Sequence, residues 1–260
     1  MDRLEQLARR AEQLRALHRG PEPLVLPNAW DAASARIVVE AGFPVVATTS
    51  SGVSASLGWA DGEQTPADEM FAAIARIARV IEVPLTVDIE AGYGLAPAQV
   101  VERMIASGAV GCNLEDTDHA AGKTLRDPRR QAAFLSAVRE AAAAAGVKVV
   151  INARVDVFLR TTAGAPSPIE EAIRRGRMYL EAGADCVFPI GVTDEPTIAA
   201  LVDGIPGPTN QIASFRGGPG VARMRALGVR RISFAGGMHR TAYEALRTRV
   251  GAVARGEDGD

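Results

Sequence analysis

The sequence predicts an α/β protein, a (β/α)8 TIM barrel preceded by an amphipathic helix. Three features carry that expectation. Short β-branched runs alternate with Ala-rich amphipathic stretches. Eight such strand–helix units fit into roughly 235 residues, a usual length for this barrel. The helical stretches often stop at a glycine just before the next run. A doubly wound open sheet is the competitor, but no G-x-G-x-x-G follows the first strand and eight units exceed its usual six. No linker marks a second domain. One domain is expected, with residues 1–20 as the leading helix and 24–254 as the barrel and last helix.

Residues 3–17 set Leu4, Leu7, Ala11, Leu14 and Leu17 on one helical face, with Arg and Glu between them. His18 is expected to be a solvated residue of that helix. After a break at 20–23, strands are expected at 24–27, 45–49, 85–90, 111–116, 149–155, 186–190, 210–214 and 231–235. Helices are expected at 31–41, 66–81, 97–107, 128–145, 169–182, 195–203, 219–227 and 238–254. Glu40-Ala41-Gly42, Ser107-Gly108, Glu181-Ala182-Gly183 and Leu227-Gly228 supply stop signals.

Composition narrows the function classes. The chain is 47% hydrophobic and 23% charged, an ordinary globular balance that excludes long disordered or fibrous architectures. Its net charge of −2 leaves no basic excess to neutralise phosphates, which argues against nucleic acid as a partner. Two cysteines, Cys112 and Cys186, cannot build a disulfide framework or a four-cysteine zinc site, and they read as small buried apolar side chains. The N-terminus has no apolar signal core, and no stretch approaches the roughly 18 apolar residues of a membrane span. A soluble, cytoplasmic setting without a membrane partner is the expectation.

In such a barrel, chemistry sits at the C-terminal ends of the strands. Residues two apart on a strand share a face. Asp88 and Glu90 therefore point into the mouth while Val87 and Ile89 point toward the helices, and the same parity turns Asn113 and Glu115 inward. Asp61 lies in the loop after the second strand. Acids converging without equal basic charge repel one another, and a hard divalent cation such as Mg²⁺ relieves that conflict with oxygen ligands. Capping of helices or pairing with rim arginines is the alternative role for these acids.

Asn152, Arg154 and Asp156 share the inward parity of the fifth strand. Arg154 is either a salt-bridge strut or a fork-shaped clamp for a substrate carboxylate or phosphonate, and the clamp is favoured because a metal-bound anion needs charge on both sides. Thr48-Thr49-Ser50-Ser51-Gly52-Val53 offers hydroxyls and free amides as a carboxylate cradle, or an ordinary turn. The segment 117–127 lies over the mouth as a candidate lid, in which Lys123 and His119 are the groups suited to proton transfer; it can equally be a plain surface loop. The glycine-rich turns Phe215-Arg216-Gly217-Gly218 and Ala235-Gly236-Gly237 are expected to be simple connections, and His239 has no obvious partner.

Several stretches together resemble the isocitrate lyase/phosphoenolpyruvate mutase superfamily: 26–32 (Leu-Pro-Asn-Ala-Trp-Asp-Ala), Thr49-Ser50-Ser51-Gly52, 88–94 (Asp-Ile-Glu-Ala-Gly-Tyr-Gly), Asn113-Leu114-Glu115-Asp116, 152–156 (Asn-Ala-Arg-Val-Asp) and 181–185 (Glu-Ala-Gly-Ala-Asp). They fall in order over nearly the whole chain. The resemblance implies a barrel whose last helix swaps between subunits, usually in a tetramer. It implies Mg²⁺ near Asp61, Asp88, Glu90 and Glu115, with Trp30, Ser50, Ser51, Gly52, Asn152 and Arg154 around the substrate. It also implies chemistry next to a 2-oxo acid, making or breaking a C–C or P–C bond through an enolate or its equivalent.

The departures matter equally. Isocitrate and methylisocitrate lyases carry a K-[KR]-C-G-H run in the lid, whereas this lid reads Gly122-Lys123-Thr124-Leu125 without a thiol, which disfavours those two activities. Mutases continue E-D with K and carry a histidine at the end of strand six; here Thr117 follows Glu115-Asp116, and that strand reads Val187-Phe188-Pro189-Ile190. The leading expectation is a Mg²⁺-dependent lyase cleaving a C–C bond of a small 2-hydroxy or 2-oxo acid, with Glu115, His119, Lys123 and Arg154 as catalytic groups. The alternatives are a phosphonopyruvate mutase or hydrolase-like enzyme and a 2-oxo acid binding protein without catalysis. A sugar-phosphate aldolase fits poorly: the chain has only Lys123 and Lys148 as lysines and three scattered histidines.

Overall fold

The computed structural model describes residues 2–160, 167–215 and 217–257, so Arg216 of the expected turn lies outside the described residues. In chain order the elements are α1 (Arg3–Arg19), β1 (Leu24–Leu26), β2 (Asn28–Ala29), α2 (Ala32–Glu40), β3 (Val46–Thr48), α3 (Ser50–Leu57), α4 (Ala67–Ala78), β4 (Leu85–Asp88), α5 (Pro97–Ser107) and β5 (Gly111–Glu115). They continue with β6 (Thr117–Asp118), β7 (Thr124–Leu125), α6 (Pro128–Ala144), β8 (Val150–Val155), α7 (Val157–Arg160), α8 (Pro168–Glu181), β9 (Cys186–Pro189), α9 (Glu195–Gly204), β10 (Asn210–Ile212), α10 (Val221–Ala226), β11 (Arg231–Ser233) and α11 (Gly237–Ala254).

The strands form a parallel ring. One ladder runs β2-β3-β4-β5-β8-β9 and a second runs β1-β11-β10. Two seams join them. Pro27, with no N–H to give a ladder, splits the first strand so that Leu24–Leu26 pairs with β11 while Asn28–Ala29 pairs with β3. On the far side Val187 of β9 bridges Thr209, just before β10. Asn28 ties the first seam: its Nδ2 donates to the Thr48 carbonyl at 2.8 Å and its Oδ1 accepts from the Phe234 amide at 2.8 Å. Counting β1 and β2 as one strand, the expected eight are present, each within two residues or so of its predicted bounds. Sequence periodicity misses α3, because Ser50–Leu57 is rich in small residues, and it misses the two-stranded hairpin β6-β7 within 117–127.

The main core lies between ring and helices, where Val87, Leu114, Ile151 and Val187 meet Ile74, Ile77, Met104, Leu135 and Leu201. Full burial of such a side chain contributes about 1.5–3 kcal/mol. The inside of the ring is polar instead: Thr86, Asn152, Asn210 and Arg231 are buried there, with the half-buried Asn113 bonded to Asn152 and Arg231. The floor is closed by α1, whose Asp2–Glu5 capping box starts it and whose buried stripe is Leu7, Ala11, Leu14 and His18. Gly111 makes that approach possible, since a Cβ there would sit 2.7 Å from Leu14 Cδ2.

His18 is therefore not solvated. It is 2% exposed; its Nδ1 donates to the Leu14 carbonyl at 2.8 Å, which leaves Nε2 to accept from Arg231 Nη1 at 3.2 Å. The spacing 7-11-14-18 already put it on the buried stripe. Burial, reinforced by Arg231, lowers its pKa to about 4 from an ordinary 6.5. Because the folded state resists the proton that the unfolded chain accepts, this site's stabilisation is complete above pH 6.5 and drains away as pH falls toward 4. A shift of that size corresponds to roughly 3 kcal/mol. Urea unfolding of wild type and His18→Gln between pH 7.5 and 4.5 should show wild type losing stability relative to the variant as pH drops; parallel curves would refute the assignment.

Candidate active site

The ends of β4, β5 and β8 carry the charged groups that strand parity placed there. Asp88 closes β4, and its Oδ2 accepts from both the Ser50 amide (3.2 Å) and the Ser50 hydroxyl (3.0 Å), while Thr48 Oγ1 accepts from the Asp88 amide at 2.9 Å. The other carboxylate oxygen, Oδ1, is buried with no hydrogen-bond partner. Ser50, Ser51 and Gly52 form the first turn of α3, where amide groups point outward from the helix start. The cradle expected in this segment is thus a helix N-terminus, and Ser50 is already engaged by Asp88.

Glu90 stands just past β4 at a φ of 51°. Tyr93 Oη donates to its Oε1 at 2.8 Å and the Glu63 amide donates to its Oε2 at 2.7 Å, while Glu63 Oε1 accepts from the Tyr93 amide at 2.5 Å. Glu63 and Tyr93 thus join the site beyond the residues that the sequence points to. Glu63 carries no periodic signal; Tyr93 had one, in the Gly-Tyr-Gly run. Every non-glycine residue with positive φ among the described residues, namely Glu63, Glu90, Tyr93, Lys123 and Ala235, lies at this end of the barrel or in the loops above it. Such conformations cost of order 1–3 kcal/mol each and persist where surrounding structure holds them, commonly at functional sites.

Glu115 closes β5. His119 Nε2 lies 2.6 Å from its Oε1 and 4.0 Å from Glu90 Oε2, and Arg154 Nη1 pairs with Glu115 Oε2. One ligand atom from each of Glu90, Glu115 and His119 lies within 4.8 Å of the others, a set able to hold a metal ion. Asp61 is exposed as a residue, but its carboxyl is turned toward Ser50 and Asp88. Burial first and neighbouring acids second push these groups up: Glu90 to about 8 with Asp61 and Asp88 as the main neighbours, and Asp61 with Asp88. Glu115 is also raised by burial, against the pull of Arg154 and His119. The hydrogen bond to Glu115 raises His119 in turn.

Arg154 is held between two acids. Its Nε and Nη2 donate to the two oxygens of Asp156 at 2.7 and 3.0 Å, and Nη1 pairs with Glu115. Burial opposes its charge, but Glu115, Asp156 and Asp88 outweigh that and raise its pKa. Behind it, Asp116 accepts from Arg175 Nη1 (2.9 Å), Tyr179 Oη (2.8 Å) and the Asp156 amide (2.8 Å), anchoring the strand ends to α8.

The remaining expected residues divide. Lys123 Nζ and His119 Nδ1 both stand over Gly62, next to Asp61, at 3.2 and 3.5 Å from where a Cβ would project; the hairpin β6-β7 carries them there. Asn152 is fully buried below the mouth, its Nδ2 donating to Asn113 Oδ1 at 2.8 Å. Trp30 packs away from the acids, edge-on to His239 with centroids 5.0 Å apart, so His239 has a partner after all. Cys112 and Cys186 are fully buried and burial pushes both thiols up to about 12, so neither takes the place of a lid cysteine.

The family described as phosphoenolpyruvate phosphomutase matches residues 14–254. The chain belongs to that family. Within the superfamily, a crystal structure from Burkholderia cenocepacia J2315, provisionally named a phosphonomutase, is 39% identical, with 93% of this chain and 99% of that one covered at a TM-score of 0.86. The 2-methylisocitrate lyase of Bacillus subtilis (strain 168) is 29% identical over 76% of this chain and 65% of its own length. Oxaloacetate acetylhydrolase in complex with the product oxalate is 28% identical, covering 98% of this chain and 90% of that chain at a TM-score of 0.86. The chain is an enzyme of this lyase and mutase superfamily, and no described helix is long and apolar enough to cross a membrane.

Proposed function

We propose that this chain is a Mg²⁺-dependent lyase that cleaves a C–C bond of a small 2-oxo or 2-hydroxy carboxylic acid. The observation that carries this reading is the convergence of the buried Asp88, Glu90 and Glu115 and the more exposed Asp61 on one mouth, with Asp88 Oδ1 left unpartnered and Glu90 pushed up to about 8. A cation suits that charge and that free oxygen, and an all-oxygen set suits Mg²⁺ better than a set including His119. Bound among these acids, Mg²⁺ would supply positive charge opposite the substrate's oxo and carboxylate oxygens as an enolate develops.

The chain's own residues do the rest. The start of α3 receives the substrate carboxylate at Ser51 and Gly52, and Ser50 keeps Asp88 oriented. Arg154 holds Glu115 and faces the mouth with the two guanidinium N–H groups not used by Glu115 and Asp156. His119, linked to Glu115 through Nε2, has a buried Nδ1 without a partner and carries the proton that a thiol carries in the cysteine-lid lyases; Lys123 beside it neutralises substrate charge. Trp30 and Asn152 support the site without standing among the acids.

The deciding experiment is one NMR assay, proton and phosphorus channels together, on protein with Mg²⁺ and a pool of oxaloacetate, 2-methylisocitrate, 2-alkylmalates and phosphonopyruvate. Appearance of pyruvate, glyoxylate or another short oxo acid, or of acetate where oxalate is the other product, is the expected result. A phosphorus signal moving toward phosphoenolpyruvate or free phosphate would transfer the enzyme to P–C chemistry, and silence in both channels with Mg²⁺ bound would favour a binding protein.

The same reading includes a cytoplasmic homotetramer with α11 exchanged between subunits. The oligomer is supported by the far part of α11, which exposes Leu246, Val250 and Val253, whereas its first turns stay on their own barrel at Trp30 and Ser51.

A further inference from the structure

The carboxylate cradle at the start of α3 is short of charge. Ser50 spends its amide and hydroxyl on Asp88, and Arg154 is engaged by Glu115 and Asp156. A substrate carboxylate entering beside Asp88 would gain from a further cation on the α3 side, opposite Arg154. The structure places one there. A Cβ built on Gly236, the residue preceding α11, would lie 2.9 Å from Arg240 Nη1 and 3.0 Å from Ser51 Oγ. Two donors thus flank one gap and stand no more than about 6 Å apart, a span that a single carboxylate bridges with ordinary hydrogen bonds. Glycine keeps that gap clear: any side chain at 236 would set its first carbon against both donors.

Arg240 has the right properties for this position. Among the described residues it has no ion-pair partner, and it is one turn into α11, with its amide donating to the Gly236 carbonyl at 3.0 Å. Ser51 Oγ lies 3.1 Å from Thr49 Oγ1, a hydroxyl pair that can present one donor outward. A guanidinium also matches the planar, two-oxygen shape of a carboxylate better than an ammonium does.

We infer that Arg240 is a substrate-binding residue, which together with Ser51 grips the carboxylate of a 2-oxo acid across the gap kept open by Gly236. This rests on the 2-oxo acid reading of the mouth. It gives α11 a role in the site and gives Gly236 a reason that is not conformational, since its φ of −73° and ψ of 6° suit any residue.

The test is calorimetric titration of oxalate and of pyruvate into the Mg²⁺-loaded full chain, for wild type, Arg240→Gln, Arg240→Lys and Gly236→Ala. Mg²⁺ alone is titrated into each as a control. Expected are Kd values for both carboxylates raised about tenfold or more in Arg240→Gln and Gly236→Ala, a smaller loss in Arg240→Lys, and unchanged Mg²⁺ binding throughout. Gly236→Ala keeps the arginine and an allowed backbone, so its loss of affinity speaks for the gap itself. Wild-type affinity for oxalate in Arg240→Gln overturns the inference, as does Mg²⁺ binding that weakens in parallel with the carboxylates. Wild type that binds Mg²⁺ but neither carboxylate defeats the 2-oxo acid reading, and the inference with it, before any variant is compared.

Discussion

Asp88→Asn is expected to lower kcat/KM by about 10³ or more and to abolish calorimetrically detectable Mg²⁺ binding, while raising the melting temperature of the metal-free protein. The opposite signs share one cause. Asp88 brings a buried charge toward Asp61 and Glu90; burial is the largest cause that raises both neighbours, and Asp88 adds to the rise of each. Removing one negative charge relieves that repulsion, so stability rises when no cation is present. The unpartnered Oδ1 that suits a cation is lost in the same step, since an amide offers fewer lone pairs and no charge. Isothermal titration with Mg²⁺, a thermal melt in chelator and a turnover assay read the three effects. Unchanged Mg²⁺ affinity and turnover in the variant would remove the proposed metal site.

His119→Gln is expected to lower kcat by about 10²–10³ with KM changed no more than about threefold. Gln can still reach Glu115 from position 119, so the lid hairpin keeps its anchor while losing the group that moves a proton. The geometry behind this is the 2.6 Å contact of Nε2 with Glu115 Oε1 and the buried, unpartnered Nδ1 facing the Asp61 loop. Lys123→Ala, by contrast, is expected to act mainly on KM, because Lys123 is exposed above Gly62 and serves charge neutralisation. Steady-state kinetics of the two variants separate the roles. Full activity in both would make the lid chemically passive.

Much of the site is legible in the sequence. Alternation by two along β4, β5 and β8 sufficed to turn Asp88, Glu115 and Arg154 to one mouth, because a strand buried on both faces leaves a charged side chain no other direction. Periodicity is silent where the chain is short or irregular. Ser50–Leu57 reads as a polar turn, yet it folds as α3, started at Thr49 and stopped by Gly58 in the left-handed conformation. Glu63 looks like one more loop acid, and only the return of its segment over β4 sets its amide on Glu90 and its carboxylate on Tyr93.

The sequence by itself determined the order of strands and helices, the parity of the acids and the identity of the superfamily, all of which are local or near-local patterns. Tertiary structure decided who meets whom across the ring. It spent Arg154 on Glu115 and Asp156 and gave Ser50 to Asp88. It drew His18 under the floor to Arg231 and brought Arg240 from the last helix to within reach of Ser51. Apart from Arg154 and Asp156, neighbours on one strand end, those pairings join residues 38 to 213 positions apart in the chain. A buried charge or donor must find a partner, but which partner it finds depends on the closure of the barrel and not on spacing along the strand.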